Sequence, residues 1–298
     1  MIPPGTSKNQ HGIALLGLLF VATMLAAGLL ISAWNAQNAV TGRDAKTFAA
    51  LQQAKEAIIG YAAAHKTLPG YLSCPEQLSA SSPTEGQANT NCSGGSNVIG
   101  RFPWRSLKLD RLTDGSGEPL WYAVSSGFGS SSVITNNSTG NISVDGAANA
   151  AVAVIIAPGP ALPGQSRTLP SPATPPQPAD YLDLSNASPG ASSYVSTGAG
   201  GVFNDQIITI SKAELLNAVN RRILAEISGS LTANGVLQYY NDNGGVFPPS
   251  STPLSALPFD TDTRKFLTPW FSLATYTYTA PAPPQLSLGG TTLVITKP

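Results

Sequence analysis

Hydrophobic and polar positions divide the chain into stretches of different period. Residues 12–34, GIALLGLLFVATMLAAGLLISAW, carry no charge; Lys8 is the last charge before them and Arg43 the first after. A helix of about 20 apolar residues spans a bilayer, so this run predicts a transmembrane helix half, with Lys8 on the inner flank. A secretory signal peptide, a plain membrane anchor and the upstream half of a longer helix all remain open readings. No proline occurs between Pro4 and Pro69. Past the run, Phe48, Leu51, Ile58, Tyr61 and Ala62 recur at helical spacing, with Lys46, Gln53, Lys55 and Glu56 between them. That pattern predicts an amphipathic helix. One helix over 13–65 would be roughly 80 Å long.

Further along, LWYAV (120–124) and AAVAVIIA (150–157) read as strands, the second fully buried. FNDQIITI (203–210) is a candidate to return to the same sheet. Residues 158–201 are rich in Pro, Gly, Ser and Ala, which predicts an extended, poorly packed linker or long loop. A second helical stripe follows: Leu215, Leu216, Val219, Ile223, Ile227 and Leu231. Ser211 and Glu214 have capping-box spacing. Gly229 and Gly235 are places where this helix kinks or splits, and Gly244-Gly245 end it. Lys212, Glu214, Arg221, Arg222 and Glu226 keep it out of a membrane.

Composition narrows the function classes. Hydrophobic residues make up 42% and charged residues 11%, against roughly 25% charged in ordinary soluble domains. The net charge is zero with no basic stretch, so no nucleic-acid partner is expected. The two cysteines, Cys74 and Cys92, flank an Asn-, Ser- and Gly-rich segment. A disulfide there would stabilise a small loop by roughly 3 kcal/mol in an oxidising compartment; two free thiols are the alternative. The histidines are His11 and His65. No Ser-His-Asp set, nucleophile elbow or phosphate loop is recognisable, and no enzyme activity is expected.

A hydrophobic half running without a break into an amphipathic half, followed by a turn and a small head, resembles the type IV pilins and type II secretion pseudopilins. His11-Gly12-Ile13-Ala14-Leu15-Leu16 is similar to that family's processing site, which implies cleavage by a prepilin peptidase between Gly12 and Ile13. The family's glutamate five residues into the mature chain is replaced by Gly17, as in tip-type minor pseudopilins. DGSGEPLWYAV (114–124) has the order D-x-x-G-x-P-x-x-Y at Asp114, Gly117, Pro119 and Tyr122, similar to the D-P-W-G-N-P-x-x-Y stretch of major pseudopilins. Asp114, Gly115 and Gly117 predict a tight turn.

An internal repeat is also visible. YAAAHKTLP runs from Tyr61 to Pro69 and YNDNGGVFP from Tyr240 to Pro248; PWRSL (103–107) and PWFSL (269–273) follow in the same order, each ahead of an aromatic strand-like run. The second turn resembles the Y-x-x-x-N-G-x-Y-P pattern of pseudopilin heads.

The expected fold class is α+β: a long N-terminal helix with a membrane half and an amphipathic half on a small antiparallel sheet, then a second helix-plus-sheet pilin-like module. The expected divisions are a leader at 1–12, a transmembrane half at 13–34, a first head at 35–157, a linker at 158–202 and a second head at 203–298. The resemblance implies a minor subunit at a tip or initiating position of a type IV pilus or type II secretion pseudopilus. Its expected partners are other pilin-like subunits, the prepilin peptidase and the lipid bilayer. The implied location is the inner membrane, single pass, with the head in the periplasm or on a surface filament. The alternative is an uncleaved, membrane-anchored envelope protein that binds a partner. Pseudopilin heads often bind calcium in a loop. Here the carboxylate pairs Asp110 with Asp114 and Asp260 with Asp262 could hold calcium; the EF-hand spacing is missing, and solvated turn acids are the preferred reading, so no cofactor is expected, with calcium the weak alternative.

Overall fold

A computed structural model describes residues 10–76, 84–90, 92, 97–129, 134–167, 176–199, 201–231 and 234–297. For the helix before residue 37 it describes the backbone and, of the side chains, Met24 alone. Among the described residues there are four helices and three small sheets, and the class is α+β. The chain divides into two units, 1–46 and 47–298. Helix α1, Gln10–Ala64, is assigned over 55 residues, its first part in the first unit and Thr47 onward in the second.

The central sheet is antiparallel throughout, in the order β1 (Val98–Arg101), β2 (Trp121–Val124), β5 (Ala153–Ala157), β7 (Gln206–Ile210). Every residue of β2 and β5 is buried, so both faces of the sheet are covered. The period-2 geometry of a strand sorts their side chains. Tyr122, Val124, Ala153, Ile155, Ala157 and Ile210 enter one core, together with Leu51, Ala54, Ile58 and Ala62 of α1. Trp121, Ala123, Val154 and Ile156 enter a second core on the opposite face.

That second core is closed by the stretch between β5 and β7 and by a small sheet in the order β4-β3-β6: β3 (Ile142–Val144), β4 (Ala147–Ala151) and β6 (Ser193–Tyr194). Two 3-10 turns, Pro178–Asp180 and Leu184–Ala187, hold Tyr181 and Leu182 against Trp121 and Ile156; the Trp121 and Tyr181 ring centroids are 5.4 Å apart. The described part of the expected linker is therefore folded cover; residues 168–175 and 200 of it lie outside the described residues.

Helix α2 (Lys212–Ser228) begins at Ser211 with the capping box formed in both directions and stops at Gly229, whose φ of +84° is the left-handed C-terminal conformation that glycine tolerates. It packs on a third sheet in the order β10-β9-β8: β8 (Thr275–Thr277), β9 (Gln285–Leu288) and β10 (Thr291–Val294). Helices α3 (Gly235–Asp242) and α4 (Thr261–Leu267) complete this part. Leu215, Leu216, Val219, Ile223 and Ile227 are buried, whereas Leu231, beyond the Gly229 cap, is exposed.

The expected fold class and location need correction. Among the described residues no helix is long and apolar enough to cross a membrane, so neither a membrane half of α1 nor a single inner-membrane pass with a periplasmic head is supported. From residue 37 on, α1 carries Arg43, Asp44, Lys46, Lys55 and Glu56, charges that are costly in hydrocarbon; the side chains of 12–34, other than Met24, lie outside the described residues. The two helix-plus-sheet parts are also not separate modules. β7, expected in the second head, pairs with β5 of the first, and residues of α1 and α2 belong to one apolar core.

The buried face of α1 also differs from the expected stripe. Thr47, Ala50, Leu51, Ala54, Ile58 and Ala62 are buried, while Phe48 is 60% exposed. Small alanines let a helix approach a sheet closely; the bulkier Phe48 falls off that face. Ile58→Ala should therefore cost about 2–5 kcal/mol through the cavity it leaves, and Phe48→Ala no more than about 0.5 kcal/mol. Urea unfolding midpoints of the two variants check this contrast.

Candidate functional site

The turn that carries the D-x-x-G-x-P-x-x-Y order is a junction of polar contacts. Asp114 is fully buried. Its Oδ1 accepts the backbone N–H groups of Ser116 (2.7 Å) and Glu118 (3.0 Å), and its Oδ2 accepts that of Gly159 (2.8 Å), just past β5. A buried carboxylate needs such donors. Gly117 has φ +90°, a conformation a side chain would strain, and Thr113 bridges to Pro119 across the turn. Gly115 N–H donates to Thr47 Oγ1 of α1 at 2.9 Å, so the turn ties helix to sheet. Beyond Pro119 the chain enters β2, where Tyr122 lies in the main core. The Tyr122 and Phe102 ring centroids are 6.2 Å apart in an edge-on arrangement. Burial holds the Tyr122 phenol well above the usual range.

Arg167 extends this junction. Its guanidinium faces Glu118 at 3.3 Å, donates to the carbonyls of Gly159 (2.6 Å) and Tyr181 (3.0 Å), and lies 5.4 Å over the Tyr181 ring. Beside it, Asp183 accepts Gln165 Nε2 (2.8 Å) and the Asn204 N–H (2.7 Å), and Asp205 Oδ2 accepts the Asp183 N–H (2.9 Å) and Asn186 Nδ2 (3.0 Å). Asp205 is 3% exposed, and its Oδ1 has no hydrogen-bond partner among the described residues. Burial pushes its carboxyl up to about 7, against the pull of those donors.

The two helices are clasped at two points. Lys55 Nζ lies 2.6 Å from Glu214 Oε1, and Arg222 Nη1 donates to the carbonyls of Ala63 (2.7 Å) and His65 (3.0 Å). Residue numbers rise together along both helices, so α1 and α2 run in the same direction. His65 Nδ1 accepts the Leu68 N–H at 3.1 Å. Its imidazole is held below its ordinary range by burial and by Arg222.

The repeat-motif tyrosines lie near the ends of two different helices, α1 and the short α3. Tyr61 lies in the last turn of α1, and its ring is 5.9 Å from His65, ahead of the loop with Pro69. Tyr240 lies near the end of α3, and its ring is 4.5 Å from Phe247, ahead of Pro248, whose carbonyl accepts the Tyr276 hydroxyl at 3.0 Å. Gly244 and Gly245, with φ of +66° and +84°, follow the end of α3. Trp104–Lys108 and Thr268–Leu273 are turns that precede β2 and β8. Cys74 and Cys92 form a disulfide, which settles the choice between a bridge and free thiols. Beside it in sequence, Glu76 pairs with Arg101 at 2.6 Å, both buried; burial still holds the Glu76 carboxyl above its usual range, partly opposed by Arg101.

Gly12 and Ile13 lie in the backbone of α1, but their side chains are outside the described residues. The carboxylate pairs considered for calcium are engaged otherwise. Asp114 is filled by backbone donors, while Asp110 is exposed. Asp260 caps α4, accepting from Thr263 N–H and Oγ1, from Asn234 Nδ2 and from Asp262 N–H, and these bonds pull it down to about 2. Among the described residues no cluster of three or more metal-ligating side chains occurs.

A second kind of site escapes the sequence pattern. Asn136, Lys212, Leu216, Asn217, Asn220 and Thr291 line a cavity of about 550 Å³ between α2 and the β9–β10 turn. Asparagines on an otherwise amphipathic helix read as solvated positions, so only the burial of Asn220 reveals it. Comparison with known proteins finds no matching family model, no matching curated protein and no matching solved structure.

Asp205 sets a pH dependence. Its folded-state value, about 7, lies above the roughly 3.9 of an unfolded aspartate. Between those values the folded chain binds more protons than the unfolded one. Its stabilising contribution is therefore complete below about pH 4 and is lost as pH rises through about 7. Unfolding free energies measured from pH 4 to 8 should fall, and Asp205→Asn should flatten the decline.

Proposed function

We propose that this chain is a minor pilin-like subunit that takes a non-repeating, tip or initiating, position in a filament of the type IV pilus or type II secretion kind. The observation that carries this reading is the continuity of α1 from Gln10 to Ala64. A single helix runs from the Gly12-Ile13 step to the Tyr61 turn, and its alanine-rich last turns lie on an antiparallel sheet. In the pilin-like arrangement the upstream part of such a helix packs against neighbouring subunits, while the downstream part belongs to the head.

Two features favour a position that does not repeat. Gly17 stands where the resembled family has the glutamate that helps a subunit dock below its neighbour. The head also carries a second helix, α2, on the β10-β9-β8 sheet, clasped to α1 through Lys55–Glu214 and Arg222, and that bulk is ill suited to a tight helical repeat. The partners on this reading are other pilin-like subunits, through α1, and a prepilin peptidase. The interior supports structural work rather than catalysis: Asp114 and Arg167 are held by the fold's own donors and acceptors.

Expression in a strain with an active prepilin peptidase tests the reading by intact-mass measurement. The mature protein should begin at Ile13, and Gly12→Asp should leave the full chain uncut. An intact N-terminus in the unsubstituted protein would remove the filament reading.

A further inference from the structure

The chain contains two Asn-Gly steps, Asn234-Gly235 and Asn243-Gly244, and the fold treats them in opposite ways. Glycine has no side chain to keep its backbone nitrogen away from the preceding amide. That nitrogen can attack the asparagine side-chain carbon and close a five-membered ring. The attack needs a nitrogen free to lose its proton and a backbone free to turn.

Asn234-Gly235 is locked. The Gly235 N–H donates to the Pro258 carbonyl at 2.7 Å. Asn234 is buried; its Nδ2 donates to Asp260 Oδ2 at 2.7 Å, and its Oδ1 accepts the Asp260 N–H at 3.0 Å. A Cβ at Gly235 would lie 2.0 Å from the Ile227 carbonyl oxygen, so the backbone there has no room to swing.

Asn243-Gly244 is open. It follows directly on the end of α3, and both residues are exposed. The Gly244 N–H makes no hydrogen bond among the described residues. A Cβ at Gly244 would meet nothing within 4 Å. The Asn243 side chain is tethered at its nitrogen, where Nδ2 donates to the Tyr239 carbonyl at 2.8 Å on the exposed side.

We propose that Asn243 is a self-modification site, converted through a cyclic imide to isoaspartate and aspartate, with water as the co-reactant. The Gly244 nitrogen gives its proton to solvent and bonds to Asn243 Cγ. The Cγ–Nδ2 bond breaks, and the nitrogen takes up a proton and leaves as ammonia. Water then cleaves one of the two ring carbon–nitrogen bonds. Cleavage at the main-chain carbonyl leaves the chain running through Cγ, which is isoaspartate; cleavage at Cγ gives aspartate. Either product sets a new carboxylate beside Asp242 at the C-terminal end of α3, where an anion is unfavourable. The isoaspartyl link also lengthens the backbone by one carbon. That pulls on the Gly245 N–H bond to the Tyr240 carbonyl (2.9 Å) and on the Tyr240–Phe247 ring contact (4.5 Å). Phe247 belongs to the main core, so conversion loosens the fastening of α3 to it.

Peptide mapping by tandem mass spectrometry tests this on the full chain, kept folded in mildly alkaline buffer and sampled over time. Asn243 should gain the mass difference between an amide and an acid, with an isoaspartyl form eluting separately. Asn234 should convert at least about tenfold more slowly, since an intramolecular attack depends steeply on geometry. In denaturant the two should convert at similar rates, and in folded Asn243→Gln the shift at this position should vanish. Hydrogen exchange over residues 239–248 should rise in the aged parent and stay unchanged in aged Asn243→Gln. Asn243 remaining an amide in the folded chain would overturn the proposal, as would Asn234 converting as fast as Asn243. An Asn234 that stays slow in denaturant would overturn protection by the fold, and unchanged exchange in the aged parent would overturn the loosening.

Discussion

The fold depends on burying both faces of the β1-β2-β5-β7 sheet. β2 and β5 leave no residue exposed, and strand geometry sends Trp121, Val154 and Ile156 one way and Tyr122, Val124 and Ile155 the other. A sheet that is apolar on both sides cannot stand with one side wet. One cover is α1, reinforced by α2. The other is the segment between β5 and β7, anchored by Tyr181, Leu182 and Tyr194. Because β7 is reached only after that segment, the second cover is made before the sheet is complete along the chain.

Polar groups fix how the covers meet the sheet. Asp114 gathers backbone donors from its own turn and from the end of β5, and Gly115 reaches Thr47 on α1. Arg167 joins that turn to the Tyr181 carbonyl and ring, while Asp183 and Asp205 hold the start of β7 to the same segment. The exposed end of the Lys55–Glu214 pair contributes little energy. The Arg222 bonds to Ala63 and His65 cap free carbonyls at the end of α1, where a cation is favourable. Specific placement of α2 beside α1 follows from these bonds and from the shared apolar core.

Much of this is legible in residue order. The apolar runs at 120–124 and 150–157 correspond to β2 and β5, and 203–210 does return to the sheet as β7. The capping box and the Gly229 stop are local chemistry, readable without tertiary context. The segment after β5 escapes such a reading because short 3-10 turns have no periodicity, and three scattered anchors do the packing that a helical stripe would announce. Phe48 misleads for the opposite reason: hydrophobicity marks the aromatic, but the buried face combines Leu51 and Ile58 with the small Ala50, Ala54 and Ala62. An uncharged run suggests a membrane half, yet no described helix is long and apolar enough to cross a membrane. The cavity at Asn220 is invisible in the sequence because burial of one amide depends on a hairpin far downstream, at Gly289 to Thr291.

The central claim is that residues 47–298 fold as one unit around that two-faced sheet, despite the repeated order of motifs in the two halves. Hydrogen exchange read by mass spectrometry across a denaturant series tests it directly. Peptides covering β2 and β9 should converge on one opening free energy and one midpoint. If the β8–β10 region opened at a lower denaturant concentration while β2 and β5 stayed protected, the halves would be separate modules and the account would fail.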